Sequence, residues 1–257
     1  MRRVEGVRHA GGVNDPLFLD PLLAELYDLW EPWEQRADFG FCLPLVMSAS
    51  SVLDVGCGTG ELLRLARLAG HAGRLCGINP AEAMLEQARK EPDIEWIIGE
   101  AASGAWDQEF DLIVMTGHAI QVIMGDGEIE ATLAAVRSAL TEHGRFVFET
   151  RNPLVRAWES WLPQNVVEAV DATGVVVRKW HEIETVEGDV VSYTNTFTSP
   201  SWDRPRILPG RQRFLDVKSR SSFLSAAGLA VEEQFGDWDR QQLTDTNPEI
   251  ITIARRS

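Results

Sequence analysis

Residues 51–66 read SVLDVGCGTGELLRLA, and this stretch decides the fold. Its first five residues are typical of a buried strand, and GELLRLARLAG (60–70) has the spacing of an amphipathic helix. Between the two, Gly56, Gly58 and Gly60 stand at alternate positions. A strand that ends in glycines and opens a helix places bare backbone N–H groups against a ligand. We therefore expect a ligand site at this turn.

Two classes of ligand fit such a turn, dinucleotides and S-adenosylmethionine. The dinucleotide fingerprint G-x-G-x-x-G/A, counted from Gly56, needs a small residue where this chain has Glu61. A carboxylate at that position would repel a pyrophosphate. The turn here is G-x-G-x-G, which tolerates a ligand without phosphate. A glycine turn that binds nothing is the remaining alternative.

Short apolar runs and helical patterns alternate from residue 51 to residue 150. This alternation predicts a mostly parallel sheet with helices on both faces. After the first strand and helix, the predicted strands are GRLCGIN (73–79), IEWIIG (94–99), FDLIVMTG (110–117) and GRFVFET (144–150), and the predicted helices are AEAMLEQARK (81–90) and IEATLAAVRSAL (129–140).

The remaining patterns divide the chain into four parts. Residues 1–15 are polar, and we expect them to be disordered. Residues 16–47 predict two amphipathic helices broken near Pro32. NPLVRAWESW (152–161) is typical of a helix, and alternating apolar positions follow it. The predicted parts are an N-terminal tail and helical lid (1–50), a ligand-binding core (51–162), an antiparallel β insertion or cap (163–217) and a C-terminal completion of the core sheet (218–257).

Composition excludes several classes of function. The formal net charge is −15 and the basic residues are scattered, so we expect no nucleic-acid partner. The chain has three cysteines, an odd number whose spacing fits no zinc pattern, so we expect no metal and a reducing, cytoplasmic setting. No signal peptide and no membrane partner are expected, because no apolar run has the required length. The hairpin predicted over 174–199 is a candidate lid or homodimer contact.

The segment LDVGCGTG (53–60) resembles the first motif of the class I S-adenosylmethionine-dependent methyltransferases. GINPAEAML (77–85) resembles the end of that family's second strand, and GEAA (99–102) the end of its third. FDLIVMTG (110–117) resembles the fourth strand and LTEHGRFVFE (140–149) the turn into the fifth. The resemblance implies a Rossmann-like, mostly parallel seven-stranded sheet with S-adenosylmethionine bound at its switch point.

The resemblance also assigns cofactor-binding roles. It implies that the glycine turn receives the methionine part, that Asp54 attracts its ammonium group through water, and that Glu100 accepts from the adenine amino group. Tyr27 is a candidate to face the sulfonium through cation–π attraction. The candidate cofactor residues are Tyr27, Asp54, Gly56, Cys57, Gly58, Gly60, Asn79, Pro80, Met84, Glu100, Ala101, Ala102, Thr116 and Gly117.

Asn79 departs from the family pattern. The ribose position usually carries Asp or Glu, about 20 residues after the turn, and this chain has asparagine there. Asparagine can still bond a ribose hydroxyl, but without the charge that makes a carboxylate hydrogen bond roughly twice as strong. We expect weaker cofactor binding. The substitution also leaves open a non-catalytic, S-adenosylmethionine-binding or regulatory protein.

His118 follows the fourth strand and is the candidate general base. Methyl transfer from a sulfonium is a direct displacement, and a histidine near neutrality can take the proton that the acceptor loses. The alternative is a histidine that only shapes the pocket. Glu149 and Arg151, at the end of the fifth strand, are further catalytic candidates. Arg151 suits an acidic group of the substrate or pairs with Glu149.

Tryptophans flank the expected site. Trp30, Trp33, Trp158 and Trp161 are candidate substrate walls, with ordinary core packing as the alternative. The layout resembles small-molecule methyltransferases of bacterial secondary metabolism, including sugar-nucleotide N,N-dimethyltransferases. It implies transfer to an oxygen or nitrogen of a small molecule. A protein or tRNA methyltransferase remains an alternative.

Overall fold

The computed structural model describes residues 16–257, so the tail expected at 1–15 lies outside the described residues. The described residues begin with three α-helices: α1 (Pro16–Leu19), α2 (Pro21–Trp30) and α3 (Ala37–Ser48). Asp20 separates the first two, because its carboxylate accepts from the backbone N–H groups of Leu22 and Leu23 at 3.0 and 3.3 Å and so caps α2. The break near Pro32 is confirmed, but three helices replace the expected two.

The next segment forms the expected strand and helix alternation. Gly60 and Gly70, both with positive φ, bracket the first helix of this region. The elements are β1 (Ser51–Val55), α4 (Glu61–Leu68), β2 (Arg74–Asn79), α5 (Glu82–Ala88), β3 (Glu95–Ile98), β4 (Phe110–Met115), α6 (Asp126–Ala139) and β5 (Leu140–Arg151).

The second half of the chain adds an antiparallel sheet and closes the first one. Its elements are β6 (Val167–Val170), β7 (Val176–Glu187), β8 (Val190–Thr198), β9 (Arg206–Arg213), α7 (Val217–Ala226), β10 (Leu229–Phe235) and β11 (Glu249–Arg256). The four-stranded antiparallel sheet has the order β6-β7-β8-β9 and lies within the predicted insertion.

The larger sheet is seven-stranded, with the order β10-β11-β5-β4-β1-β2-β3. Only β11 runs against its neighbours, and the other pairings are parallel. The predicted mostly parallel sheet is therefore confirmed. The chain moves outward from β1 to β3 and then returns to the other side of β1 with β4. The neighbours β1 and β4 thus form the switch point, where the carboxyl ends of the strands leave a crevice.

Helices cover both faces of this sheet, as the uniformly apolar strands predict. On β5, Phe146 and Phe148 pack with α6 and α7 on one face, and Val147 packs with α3 and α4 on the other. The alternation continues to the end of the strand, where Glu149 and Arg151 follow Val147 on the α3 face. Those two side chains therefore lie at the same edge as the switch point.

Helix α2 joins the two sheets. One side of it packs Leu23, Leu26 and Trp30 against Val177 and Phe197 of the antiparallel sheet. Its other side belongs to a second apolar cluster formed by Ala24, Ala81, Ala83 and Met84, with Phe18 and Tyr27 packed against it. The helix is thus held between the insertion and α5, directly above the switch point.

The helix expected over 152–161 is largely absent. Only a single 3₁₀ turn, Ala157–Ser160, forms there. The reason is local: the side chain of Asn152 accepts from the N–H of Leu154 at 3.1 Å and donates to the carbonyl of Asn247 at 2.9 Å. This competing turn, with Arg156 in the left-handed region (φ 51°), replaces the first turns of the expected helix.

Candidate active site

A large cavity lies at the switch point, beyond the carboxyl ends of β1, β2 and β4. Its volume is about 1230 Å³, including space open to solvent. The floor is the glycine turn, and α2 forms the roof. Twelve of the fourteen predicted cofactor residues line it: Tyr27, Asp54, Gly56, Cys57, Gly58, Asn79, Pro80, Met84, Glu100, Ala101, Thr116 and Gly117.

The glycine turn is held by its own backbone. The amides of Gly56 and Cys57 donate to the carbonyl of Ile78 at 2.8 and 3.2 Å, and that of Gly60 donates to the carbonyl of Cys57 at 2.9 Å. These three N–H groups are therefore used within the protein. Gly58 has φ 58°, a left-handed conformation that side chains disfavour, and faces the cavity. The turn offers close approach rather than a row of free donors.

Two predicted cofactor residues lie outside the cavity lining. Gly60 has a different reason to be glycine, because a Cβ there would come within 2.4 Å of the Trp96 ring. It therefore permits α4 to pack over β3. Ala102 lies in a 3₁₀ turn and is exposed, whereas its neighbour Ala101 is buried and lines the cavity.

A buried carboxylate lies on the cavity floor. Asp54 is 1% exposed, and its Oδ1 has no hydrogen-bond partner among the described residues. Burial raises the pKa of this carboxyl to about 7, and the nearby Arg36 guanidinium opposes the rise. An acid with an unused oxygen in this position suits a cationic donor entering from the cavity.

Arg36 is a cationic side chain in the cavity lining that the sequence analysis did not predict. It lines the cavity, donates to Asp38 through Nε at 2.8 Å and lies 4.1 Å from the centre of the Phe39 ring. Its ion pair with Asp38 and its position beside Gly117 keep the guanidinium at the end of β4. No short motif marks this residue, because its place depends on the packing of α3.

Asn79 ends β2 and is buried. Its Oδ1 accepts from the backbone N–H of Ala81 at 2.8 Å, which assigns the oxygen and leaves the NH₂ group toward the cavity lining. The side chain thus fixes the turn into α5 and retains donors for a ligand hydroxyl. The expectation that Asn79 bonds a ribose hydroxyl therefore stays a prediction, with the NH₂ group as the donor.

Helix α2 closes the cavity from above. Tyr27, Asp28 and Glu31 line it, and burial raises the pKa of Tyr27 to about 12, so this ring stays neutral. The carboxylate of Asp28 accepts from the hydroxyl of Thr59 at 2.7 Å and so ties the roof to the glycine turn. Glu31 reaches the other way, to Nζ of Lys179 at 3.3 Å on the antiparallel sheet.

His118 lies between the cavity residues Gly117 and Ala119. Its backbone N–H donates to Glu149 at 2.7 Å, and its ring Nε2 lies 3.0 Å from Glu249. Burial lowers the pKa of His118, and Arg151 lowers it further, while Glu249 opposes both. The ring is therefore neutral at pH 7, oriented by a carboxylate at Nε2.

Glu149 does not pair with Arg151. It is 1% exposed, accepts from His118, and has its pKa raised well above the usual range by burial and by Asp38. Arg151 instead donates from Nη1 to Oε1 of Gln212 at 2.7 Å, and its guanidinium carbon lies 5.5 Å from the centre of the Trp161 ring. The alternative of a Glu149–Arg151 pair is thus not what the structure shows.

The four predicted substrate tryptophans separate into two groups, and none of them lines the cavity. Trp30 is buried against Phe197, with ring centres 5.2 Å apart, and Trp33 is exposed in a 3₁₀ turn. Trp158 and Trp161 instead join a second set of rings, outside the cavity lining. This aromatic cluster consists of Trp158, Trp161, His181, Tyr193 and Phe214.

A family model described as "Methyltransferase domain" matches residues 52–144. The match begins in β1 and ends in β5, so it contains the glycine turn and the three strand ends that surround the cavity.

Residues 52–144 are similar to a methyltransferase domain.

The curated proteins that are similar in sequence are also named as methyltransferases. The chain is 39% identical over 93 residues to a 2-phytyl-1,4-naphtoquinone methyltransferase from Thermosynechococcus vestitus, covering 31% of this chain and 40% of that protein. It is 26% identical over 225 residues to a dTDP-3-amino-3,4,6-trideoxy-alpha-D-glucopyranose N,N-dimethyltransferase from Streptomyces venezuelae, covering 81% and 90%. The chain thus spans less than half the length of the first of these relatives.

Solved structures share the whole arrangement around the methyltransferase domain. The CcbJ methyltransferase from Streptomyces caelestis superposes with a TM-score of 0.70 at 18% identity, over 94% of this chain and 98% of that one. At this identity the likeness shows the fold, and the fold inferred from residues 51–150 is confirmed. Among the described residues, no helix is long and apolar enough to cross a membrane, and no group of three or more metal-binding side chains occurs.

Proposed function

We propose that the protein is an S-adenosylmethionine-dependent methyltransferase that transfers a methyl group to an oxygen or nitrogen of a small molecule. The observation that carries the proposal is Asp54: a buried carboxylate, with one oxygen unpartnered among the described residues, beside a glycine turn. The amino group of the cofactor is a cationic donor of the kind such an oxygen requires.

The other cavity residues fit the parts of this cofactor. Gly56 and Gly58 allow the methionine chain to approach the backbone, and Arg36 can meet its carboxylate. The NH₂ group of Asn79 can donate to ribose. Ile78 and Met84 are apolar walls for adenine, beside Glu100. Each group therefore meets a residue of matching chemistry.

When bound, S-adenosylmethionine supplies a methyl group on a positively charged sulfur, and this sulfur would leave as a neutral thioether when an oxygen or nitrogen lone pair of the acceptor takes the methyl group. The protein aligns the acceptor and removes its proton. His118 is the base we propose, because its ring is neutral and Glu249 orients it through Nε2, which leaves Nδ1 to take the proton. Gly117 and Ala119, on either side of it, line the cavity.

A small acceptor is supported by the enclosure of the site. Helix α2 covers the cavity and is itself packed against the antiparallel sheet, so an extended polymer would have to displace this helix. The net charge of −15 also disfavours RNA. Relatives named for quinone and amino-sugar substrates support the same class.

The test has two parts. Isothermal titration with S-adenosylhomocysteine should show one site, and methyl-labelled S-adenosylmethionine should label an acceptor from a panel of small phenols, amines and carboxylic acids. Binding without transfer to any acceptor would favour the non-catalytic alternative. Absence of binding would contradict the proposal. The expected homodimer stays a prediction, to be measured by light scattering on the same sample.

A further inference from the structure

The aromatic cluster and Arg151 form a second polar surface next to the cofactor cavity. Trp161 is its centre, with ring centres 4.8 Å from Tyr193, 5.8 Å from His181 and 6.1 Å from Phe214. Glu31 connects the two regions, since it lines the cavity and pairs with Lys179, two residues before His181 on β7. A molecule bound at the cluster would therefore lie beside the cavity.

Charges in this region are matched, with one exception. Glu31 pairs with Lys179, Glu249 with His118, and Asp38 with Arg36, while Glu149 accepts from a backbone N–H. Among residues 16–257, the side chain of Arg151 contacts only the neutral amide of Gln212 and the face of Trp161, although Glu249 lies opposite it in the β5–β11 pairing. No carboxylate of the described chain lies within ion-pair distance of its guanidinium.

Burying the Arg151 guanidinium without a charged partner costs free energy, which an anionic ligand would offset. Burial lowers the pKa of Arg151, with Glu249 the largest opposing charge. A half-buried guanidinium held by one amide retains donors in the fork geometry that binds carboxylate or phosphate oxygens. The excess charge is positive, so the missing group is an anion rather than an amine.

Two polar side chains on the same sheet, Asn195 and His181, contact each other without a hydrogen bond of ordinary geometry. Asn195 is 1% exposed, and neither of its amide atoms makes a hydrogen bond of ordinary geometry to a described residue; the same holds for Nδ1 of His181, which lies opposite Asn195 in the β7–β8 pairing. Burial and Lys179 lower the pKa of His181 to about 4, and Asn195 opposes part of that shift. A neutral imidazole and an amide suit hydroxyl or carbonyl groups of a ligand.

We infer that the acceptor of the methyl group is a planar molecule with an anionic oxygen group, stacked in the aromatic cluster and bound by Arg151. This inference rests on the proposed function, because it concerns the acceptor of that reaction. The ring provides area against Trp161, and the anion supplies the charge that Arg151 lacks.

The experiment compares three probes with one ring: 4-hydroxyphenylacetate, its neutral amide and the amine tyramine. Each is titrated into protein saturated with S-adenosylhomocysteine, by calorimetry and by ¹⁵N spectra in which Trp161→Phe assigns the Trp161 indole signal. The acid should bind about tenfold tighter than the amide, the gain expected for one charge-assisted contact in a partly buried site, and should shift that signal.

Arg151→Gln should abolish the preference for the acid, while the exposed Arg156→Gln should retain it. If Arg151→Gln does not fold, the wild-type comparison still decides. Three results would overturn the inference. The amide or the amine binds as tightly as the acid or tighter; none of the three probes binds at about 10 mM, the range of a weak subsite; or the acid binds without shifting the Trp161 signal. Failure of the cofactor analogue to bind would instead contradict the proposed function, and the acid preference can be measured without it.

Discussion

The cavity floor and the aromatic cluster are built in different ways. The floor is backbone: residues 54–60 bend once, and the hydrogen bonds of Gly56 and Cys57 to Ile78 fix the bend against the next strand. The cluster is made of side chains from the 3₁₀ segment after β5, from β7 and β8, and from Phe214 just after β9. The floor depends on conformation, whereas the cluster depends on the docking of one sheet on another.

Because of this difference, substitutions in the two regions should affect ligand binding differently. A substitution in the floor alters the space for any ligand, because the main chain itself forms the surface. A substitution in the cluster alters one contact, and its neighbours can repack. We therefore expect the binding of the cofactor to be sensitive to single residues, and the choice of acceptor to be adjustable.

The largest effect should follow from Gly58→Val. The backbone there has φ 58°, which valine disfavours, and although a Cβ would lie an ordinary 3.6 Å from Met84, the branched methyl groups would enter the cavity. We expect S-adenosylhomocysteine binding to fall below detection by calorimetry. Gly174→Val is the matched control, because φ is 84° there and no atom lies within 4 Å. Equal loss in both variants, or in neither, would contradict a role for the floor.

A smaller effect is expected from His118→Gln. Loss of a general base should lower kcat about 100-fold, with the affinity for S-adenosylhomocysteine unchanged. In the wild type, kcat at saturating cofactor should be constant above pH 7 and fall as the pH drops through the lowered pKa of His118, below about 6.5.

Two controls separate catalysis from packing. Glu249→Gln removes the charge that raises the pKa of His118, so the midpoint of the pH profile should move to lower pH. His143→Gln, at an exposed position, should leave the profile unchanged. A His118→Gln variant with the wild-type kcat would reduce this histidine to a structural role.

Asp54→Asn should weaken cofactor binding about tenfold at pH 8, the loss expected when one charge-assisted bond becomes neutral. Since the pKa of Asp54 is about 7 in the free protein, wild-type affinity should decline as the pH falls through that value. Ionisation of this buried group opposes folding above its unfolded pKa, so the variant should also have a higher Tm at pH 8. A cofactor affinity that stays constant from about pH 6 to about pH 8, roughly one unit on either side of the pKa, would exclude this role.

The smallest effect should come from Asn79→Asp. The carboxylate can keep the hydrogen bond from Ala81 and offer a charged oxygen to ribose, so binding of S-adenosylhomocysteine should tighten about threefold. Calorimetry on both proteins measures this. Weaker binding by the variant would show that the hydrogen bond donated by the NH₂ group of Asn79 contributes more to binding than a charged acceptor does.

Sequence alone located the floor because its signals are local. Three glycines after a strand, and strand ends that follow at regular intervals, place Asp54, Asn79 and Glu100 together without any knowledge of long-range packing. Sequence also placed Gly60 in the ligand site, where the structure shows that it accommodates Trp96. Glycine satisfies both demands, and the pattern does not distinguish them.

The residues that sequence missed depend on docking. Arg36 reaches the cavity because α3 packs against the sheet, and Glu249 meets His118 across 131 positions of sequence because β11 lies beside β5. Trp30 and Trp161 were equivalent candidates in the sequence, yet Trp30 is buried against Phe197, whereas Trp161 packs against Tyr193. No spacing rule could have separated them.

A crystal structure with S-adenosylhomocysteine would decide whether the backbone floor holds the amino-acid part of the cofactor. We expect the homocysteine chain against Gly56 and Gly58, with its amino group bonded to Oδ1 of Asp54 directly or through one water, and the ribose beside Asn79. A ligand bound elsewhere, or a floor in which Asp54 contacts no part of the ligand or its waters, would contradict the proposal and the roles assigned to these residues.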